Sequence, residues 1–227
     1  LIIISTLHDF KSNSLLIDVS LHLGSLLAII FYFRKDLLNI QNNKKLLTLL
    51  IAGSLPIIIV GYFLYNTELI YLLRDVKVIA WTTIIFGIVL YIADKNKFTK
   101  NINSNLDLKA ILYIGFFQTL ALIPGVSRAG ITITAGRFLK FNRFDASKIS
   151  FLLSIPALAG ASVLSLKDIF QQSFEFNYFV LIAISLSFFF SYITVKFFLD
   201  YINKFSLNIF VVYRMVLGII LFIMIYN

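Results

Sequence analysis

Arg128 is the residue with the clearest chemical potential, because it lies inside an apolar stretch beside residues that suit a phosphate group. It follows Ser127 and stands between Gly125 and Gly130. A guanidinium binds phosphate through two parallel hydrogen bonds, and glycines let backbone amides come close to an anion. We expect a helix to begin at about residue 131, with its positive end at the same place. These residues predict a phosphate-binding loop, in which Gly125 and Gly130 contact the substrate.

Simpler roles remain open for the polar residues of this loop. Arg128 could pair with a carboxylate and join two helices, although charges within a membrane usually mark a function. Ser127 could be a nucleophile, a phosphate donor or a helix cap, and a serine just before a helix is more often a cap. Thr132 and Thr134 could line the same cavity or bond back to helix carbonyls, which is the commoner arrangement for each alone.

Three further polar residues have apolar surroundings. Asp18 and His22 are four positions apart, so they share one helix face. A carboxylate and an imidazole in that arrangement could orient a base or bind a metal; a plain hydrogen-bonded pair near the membrane interface is as well supported. Gln118 precedes Arg128 in the same apolar stretch, and a buried amide needs partners. It could contact the substrate or brace the local fold.

The composition assigns the chain to the membrane proteins. Of its 227 residues, 59% are hydrophobic and 14% are charged, against about 45–50% and about 25% in soluble domains. The net charge of +9 is explained by basic joints between apolar runs and by anionic lipids, so nucleic acid is not a predicted partner. The sequence has no cysteine and no P-loop, Rossmann, HExxH or CxxC motif, so nucleotide and zinc chemistry lack support.

The apolar runs predict an all-α polytopic membrane protein with about six transmembrane helices, forming a single domain over residues 1–227. The runs lie at about 15–33, 46–65, 78–93, 148–165, 178–199 and 207–226. Each is close to the roughly 17–25 residues that cross a bilayer. The excess of Lys and Arg puts the joints at 34–45, 94–109 and 200–206 in the cytoplasm. The joints at 66–77 and 166–177 are then external, as is the C-terminus.

Residues 110–140 break this alternation, because basic joints flank them on both sides. Both ends therefore belong in the cytoplasm, which predicts a re-entrant helical hairpin. Its first arm, residues 110–123, would span roughly 21 Å, which is shorter than the ~30 Å hydrocarbon core. Irregular backbone at that depth must be buried in protein or line a wet cavity. A faint echo between residues 18–23 and 148–153 adds the prediction of an inverted repeat.

The segment 115–130, which reads GFFQTLALIPGVSRAG, resembles the undecaprenyl-diphosphate phosphatase family of the bacitracin-resistance type. The hallmark of that family is a PG-x-SR-[SA]-G loop that follows a Gln-containing arm. Residues 18–28, 150–160 and 213–214 also resemble family segments in the same order. The resemblance therefore covers nearly the whole chain, and its loop motif is more specific than a general Gly-rich signal.

The resemblance implies an enzyme that hydrolyses undecaprenyl diphosphate to undecaprenyl phosphate and inorganic phosphate. That reaction recycles the lipid carrier of bacterial peptidoglycan synthesis, and excess enzyme is linked to bacitracin resistance. The family also implies paired re-entrant hairpins in a multi-pass protein of the bacterial inner membrane, with an active site that faces the periplasm. Here Arg128 would hold the phosphate and Ser127 would assist. The expected partners are a prenyl diphosphate lipid, membrane lipids and a second copy in a homodimer.

One part of the family pattern is missing. The family has a first re-entrant segment with a Glu-x-x-x-Glu element and a Ser-Ser-Thr-Gly-His run, and this chain begins at Leu1 directly after that run. The family implies a divalent cation, Mg²⁺ or Ca²⁺, but its glutamate ligands are absent, so no metal ligand is predicted in this chain. Asp18, His8 and His22 do not restore the spacing; Asp18 and His22 are expected to support the site from behind. We therefore expect the chain as given to be an inactive fragment.

Two other classes of protein compete with a phosphatase. A transporter or flippase for an anionic lipid or solute also uses broken helices, inverted repeats and a cation at depth. A purely structural membrane subunit would tolerate Arg128→Lys, which a bidentate phosphate site would not. Without the resemblance, the residues support phosphatase and transporter about equally.

Overall fold

The computed structural model describes residues 14–38, 40–67, 75–170 and 178–226, and the regular elements within these ranges are helices. In chain order they are α1 (Ser14–Tyr32), α2 (Arg34–Leu38), α3 (Ile40–Thr67), α4 (Val76–Asp94), α5 (Ile102–Asn105), α6 (Leu108–Thr119), a 3₁₀ turn (Leu120–Leu122), α7 (Arg128–Phe138), α8 (Arg143–Phe170), α9 (Tyr178–Lys204) and α10 (Asn208–Tyr226). The predicted all-α class is confirmed.

Five of the described helices contain segments long and apolar enough to cross a membrane. These segments are Lys44–Tyr65, Val76–Asp94, Arg143–Val163, Val180–Lys204 and Asn208–Tyr226. They confirm five of the six predicted runs. The other run forms α1, whose apolar part, Val19–Tyr32, is shorter. Large apolar side chains such as Ile59 and Phe190 are exposed, which suits contact with lipid rather than water. The chain is a multi-pass membrane protein.

Two helices begin earlier than their apolar runs. The predicted run at 148–165 lies within α8, which begins at Arg143 because Asn142 caps it. The Asn142 side chain accepts a hydrogen bond from the Asp145 amide at 2.7 Å and donates one to the Asp145 carboxylate at 2.8 Å. This reciprocal cap stabilises the first turn outside the apolar run. Similarly, α3 includes the basic residues Lys44 and Lys45 that were predicted to lie in a joint.

The described contacts separate the chain into two compact units whose boundaries fall inside helices. The first unit comprises residues 1–47 and 154–198. Within its described part, α1 packs against α9: the Ser187 hydroxyl donates to the Leu21 carbonyl at 2.7 Å, and the ring of Phe31 lies 5.8 Å from that of Tyr192. The single-domain assignment and the inverted repeat stay predictions.

The second unit comprises residues 48–153 and 199–227 and contains the residues of the predicted phosphate loop. In it α4 packs closely against α10. Glycines make this approach possible, because a Cβ on Gly218 would overlap Ile84, and one on Gly87 would overlap Met215. Small residues at such contacts are typical of membrane helices, which associate through close packing.

The predicted hairpin is present in the second unit. Its two arms, α6 and α7, pack against each other, and the segments just outside them are joined. The Lys100 amide donates to the Lys140 carbonyl at 3.1 Å, and the Asn142 amide donates to the Lys100 carbonyl at 3.3 Å. The segments that precede and follow the hairpin therefore meet. The first arm, Leu108–Leu122, spans roughly 22 Å, too short to cross the ~30 Å hydrocarbon core.

A buried ion network fixes the base of this hairpin. The Asp94 carboxylate accepts two hydrogen bonds from Arg143, at 2.8 and 3.0 Å, and one from the Leu207 amide at 3.2 Å. Arg137 Nε lies 3.3 Å from the same carboxylate. The Arg137 guanidinium also donates to the Phe141 carbonyl at 2.6 Å. One carboxylate therefore connects α4 to α7, α8 and the start of α10.

Candidate functional site

The turn of the hairpin is a loop, residues 123–127, held against α4 by two threonines. The Thr82 hydroxyl donates to the Pro124 carbonyl at 2.6 Å, and the Thr83 hydroxyl donates to the Gly125 carbonyl at 3.4 Å. Gly125 has φ +87°. A Cβ there would overlap the Thr82 hydroxyl and lie 2.6 Å from the Ile79 carbonyl oxygen. This position therefore requires glycine for its conformation and for its close contact with α4.

Arg214, from α10, holds the same loop from another side. Its Nη2 donates to the Gly125 carbonyl at 2.9 Å, and its Nε donates to the Thr83 carbonyl at 3.2 Å. The side chain is buried. The loop is thus fixed to α4 and α10 through its main-chain carbonyls.

Ser127 confirms the predicted helix cap and corrects the predicted start of the helix. Its Oγ accepts a hydrogen bond from the Gly130 amide at 3.3 Å, and its carbonyl accepts one from the Ile131 amide at 3.0 Å. α7 therefore begins at Arg128 rather than at about residue 131. The reason is that the serine side chain satisfies an amide of the first turn. This earlier start places Arg128 at the positive end of the helix.

The backbone of Ser127 has an uncommon conformation. Its φ is +67° and its ψ is 114°, a combination that costs a non-glycine residue on the order of 1–3 kcal/mol. The side chain is exposed while the neighbouring loop is fixed on α4. Strain of this kind concentrates at functional sites, so the geometry supports a role for the Ser127 hydroxyl beyond capping.

The Arg128 side chain has an unused donor. Its Nη1 is buried and has no hydrogen-bond partner among the described residues. In that part of the chain, the ion pairs that involve buried arginine and aspartate centre on Asp94, with Arg137 and Arg143. The alternative that Arg128 pairs with a carboxylate to join two helices therefore finds no support in the described residues. A buried guanidinium donor of this kind suits an anionic ligand.

The other predicted contacts in the hairpin differ in what their side chains do. Gln118 is fully buried in α6, and neither atom of its amide group has a hydrogen-bond partner among the described residues. Thr132 Oγ1 lies 2.6 Å from Ser150 Oγ and donates to the Arg128 carbonyl at 2.9 Å. Thr134 donates to the Gly130 carbonyl at 2.7 Å. Both threonines thus bond back to helix carbonyls, while substrate contacts by Gln118 and Thr132 stay predictions.

Asp18 and His22 belong to α1, in the other compact unit. The backbone of Asp18 is helical, but its side chain lies outside the described part of the structure, as does all of His8. His22 is partly buried, and its carbonyl accepts a hydrogen bond from Ser25 at 3.2 Å. A supporting role for Asp18 and His22 stays a prediction.

A divalent cation does not fit the residues that the structure describes. Among them, no three His, Cys, Asp or Glu side chains lie close enough together to hold a metal ion. The groups gathered at the loop are cationic or hydrogen-bond donors, which repel a cation and attract an anion. No chemical step is therefore assigned to a metal in this part of the chain.

Sequence reasoning did not assign Arg214, Thr82 and Thr83 to the site. A signal for Arg214 was available, because it is a charged residue inside the apolar helix α10, and intramembrane charges are functional by default. No comparable signal exists for the two threonines, since a hydroxyl in a membrane helix usually bonds to its own backbone.

The loop as a whole can bind one tetrahedral oxyanion. Arg128 supplies a guanidinium, the first turn of α7 supplies amides and the helix dipole, and Ser127 supplies a hydroxyl. These donors are held in place before a ligand arrives, because the loop carbonyls are bonded to α4 and α10. Such an arrangement is typical of sites for phosphate groups.

Comparisons with known proteins agree with this chemistry. The chain is 70% identical over 226 residues to an undecaprenyl-diphosphatase of Pelagibacter ubique (strain HTCC1062). That alignment covers 99% of the chain and 88% of the relative. The chain is 40% identical to an undecaprenyl-diphosphatase of Elusimicrobium minutum (strain Pei191), covering 98% of the chain and 88% of the relative. Residues 1–220 match the family described as bacitracin resistance protein BacA. Because that match spans nearly its whole length, the chain belongs to the BacA family.

Proposed function

We propose that the chain is an undecaprenyl-diphosphatase, a hydrolase that removes the terminal phosphate of undecaprenyl diphosphate. Its substrate is a prenyl diphosphate lipid, and its product is the lipid monophosphate carrier of peptidoglycan synthesis. Two relatives that align with at least 98% of the chain carry this enzyme name. The observation in the structure that carries the proposal is the buried, unpartnered Nη1 of Arg128 at the start of α7.

The loop acts on the phosphoryl group by binding and charge stabilisation. Arg128 and the first-turn amides of α7 hold the oxygens of the terminal phosphate. Hydrolysis spreads charge over those oxygens, so donors fixed in advance lower the barrier more than donors that must reorganise. Ser127 Oγ already accepts a hydrogen bond from Gly130, which leaves its own proton to donate to a phosphate oxygen. Gln118 offers a further amide to the headgroup from the first arm.

The proposed location is the bacterial inner membrane, with the site open to the periplasm. The two ends of the hairpin meet among basic residues, including Lys100 and Lys140, which the positive-inside rule assigns to the cytoplasm. The loop lies at the other end of the short arms, and so within the membrane. There the polar headgroup reaches Arg128 while the prenyl chain stays in lipid. A homodimer in the membrane is part of the same proposal, which chemical cross-linking in native membranes tests.

The function is tested by phosphate release from undecaprenyl diphosphate in detergent. We compare the 227-residue chain with a chimera that adds the part of the Pelagibacter relative left uncovered by the alignment. The expected result is turnover by the chimera and its loss by more than 100-fold on Arg128→Gln.

Two outcomes would count against this expectation in different ways. A chimera that releases no phosphate overturns the phosphatase. Movement of substrate across proteoliposomes without phosphate release would instead identify a transporter or flippase.

A further inference from the structure

Arg214 has the properties of a binding residue, although its visible contacts are only to the backbone. It is buried, and its hydrogen bonds go to the carbonyls of Thr82, Thr83 and Gly125. Carbonyl oxygens are neutral acceptors, so these contacts orient the guanidinium without neutralising it. Buried arginines are ordinarily paired with a carboxylate, as Arg137 is with Asp94 in the same unit. Arg214 has no such ion pair among the described residues.

The packing of α10 on α4 brings this charge to the loop. Gly87 lies directly beneath Arg214: a Cβ on Gly87 would lie 3.3 Å from Arg214 Cβ and 3.6 Å from its Nε. A larger residue at position 87 would push the guanidinium away from the Thr83 and Gly125 carbonyls. The close contact between α4 and α10 therefore determines the position of the Arg214 guanidinium.

The remaining nitrogen of Arg214 points to the start of α7. A Cβ built on Gly130 would lie 3.4 Å from Arg214 Nη1 and 3.3 Å from Ser127 Oγ. Two donors from different elements therefore border the same face of Gly130, the face from which any larger residue would extend its side chain. Nη1 makes no hydrogen bond with the described residues, whereas Nε and Nη2 are used to hold the loop. The geometry leaves one arginine donor beside the phosphate loop.

We propose that Arg214 is a second headgroup-binding residue, whose Nη1 contacts the other phosphoryl group of the diphosphate over the face of Gly130 that it shares with Ser127 Oγ. This inference rests on the proposed function. A diphosphate carries two phosphoryl groups, and Arg128 and Arg214 supply one guanidinium for each. Arg214 therefore makes the site prefer a diphosphate over a monophosphate, which favours substrate over both products.

The test measures binding of inorganic pyrophosphate and inorganic phosphate to the detergent-solubilised chain, by calorimetry in a buffer without divalent cations. The wild-type chain is expected to bind pyrophosphate more tightly than phosphate. Arg214→Gln should weaken pyrophosphate binding by 10- to 100-fold and phosphate binding by less than 3-fold, because a charge-assisted hydrogen bond is lost from one phosphoryl group only. Arg128→Gln should weaken both. Gly61→Ala, which meets only Leu122 at 3.8 Å, is the matched control and should change neither.

Other outcomes separate the possible failures. If Arg214→Gln weakens both anions equally, Arg214 only holds the loop, and the proposal is overturned. If the wild-type chain binds both anions equally, the second contact is absent, although the Arg128 site stands. If the wild-type chain binds neither, the proposed function fails with the inference.

A second variant covers the case in which Arg214→Gln does not fold. Gly130→Ala keeps Arg214 but places a methyl group 3.4 Å from Nη1 and 3.3 Å from Ser127 Oγ, distances that require only a small adjustment. It should reduce the preference for pyrophosphate by at least 10-fold while the thermal midpoint stays close to that of the wild type. Unchanged binding of both anions by Gly130→Ala would refute a headgroup contact at this point.

Discussion

A single methyl group at Gly125 should displace the phosphate loop, and its cost can be worked out from the structure. Gly125 has φ +87°, a conformation that costs an alanine about 1–2 kcal/mol. The added Cβ would also lie 2.6 Å from the Ile79 carbonyl oxygen, which belongs to the backbone of α4 and cannot move aside. The loop must shift instead, which breaks the 2.9 Å bond from Arg214 to the Gly125 carbonyl, worth about 1.5–3 kcal/mol. Together these give about 2.5–5 kcal/mol of destabilisation for Gly125→Ala.

The measurement is the thermal midpoint of unfolding in detergent, followed by pyrophosphate binding at a temperature where both proteins are folded. In a protein of this size, 1 kcal/mol shifts the midpoint by about 2–4 °C, so Gly125→Ala should lower it by roughly 5–20 °C. Gly61→Ala makes the same chemical change within α3, where the new methyl group meets only Leu122 at 3.8 Å. It should be neutral or stabilise by up to about 1 kcal/mol, because alanine favours a helix more than glycine.

The two substitutions should therefore act in opposite directions. Gly125→Ala should also weaken pyrophosphate binding by at least 10-fold, because Arg128 and the amides of α7 follow the displaced loop. A Gly125→Ala chain that keeps both the wild-type midpoint and the wild-type affinity would refute the reasoning, since it would mean that the loop does not need its observed conformation to bind an anion.

Three further predictions follow from other parts of the second unit. Asp94→Asn should lower the free energy of unfolding by about 3–5 kcal/mol, because it leaves Arg137 and Arg143 without their carboxylate. Asp75→Asn, which keeps an equivalent cap on α4, should change the thermal midpoint little. Equal shifts of the midpoint in the two variants would contradict the ion network. Gln118→Met should raise the thermal midpoint, because it removes a buried amide that has no partner among the described residues. The same substitution should weaken pyrophosphate binding. A lower midpoint would show instead that the amide braces the hairpin. EDTA should change pyrophosphate affinity of the chain by less than 2-fold, and a larger loss would reveal a metal site.

The hairpin and its central arginine were predictable because each depends on a local feature of the sequence. Basic joints on both sides of residues 110–140 are incompatible with a single crossing, and the structure joins those ends through Lys100 and Lys140. Arg128 was identified by its cost in an apolar segment. The start of α7 was misplaced by three residues, because the Ser127 side chain caps the first turn and lets the helix begin at Arg128.

The long-range contacts of the loop were not predictable from a single sequence. Thr82, Thr83 and Arg214 meet the loop only because α4 and α10 approach closely at Gly87 and Gly218. Helical periodicity indicates which residues share a face, but it gives neither the partner of that face nor the alignment of two helices along their axes. The ion network at Asp94 depends in the same way on four helices meeting at one place.

Charge pairing separates four arginines of this unit by role. Arg137 and Arg143 share the Asp94 carboxylate at the base of the hairpin, where the ions satisfy one another and stabilise the fold. Arg128 and Arg214 lie at the turn. Among the described residues, Arg214 has only carbonyl partners, Nη1 of Arg128 has none, and neither guanidinium is paired with a carboxylate. Among the described residues, a carboxylate therefore accompanies the arginines at the base of the hairpin and not those at the turn, which leaves positive charge at the turn in a medium of low dielectric constant. A lipid diphosphate would supply the missing negative charge, which is why we propose that its headgroup binds at the turn and not at the base.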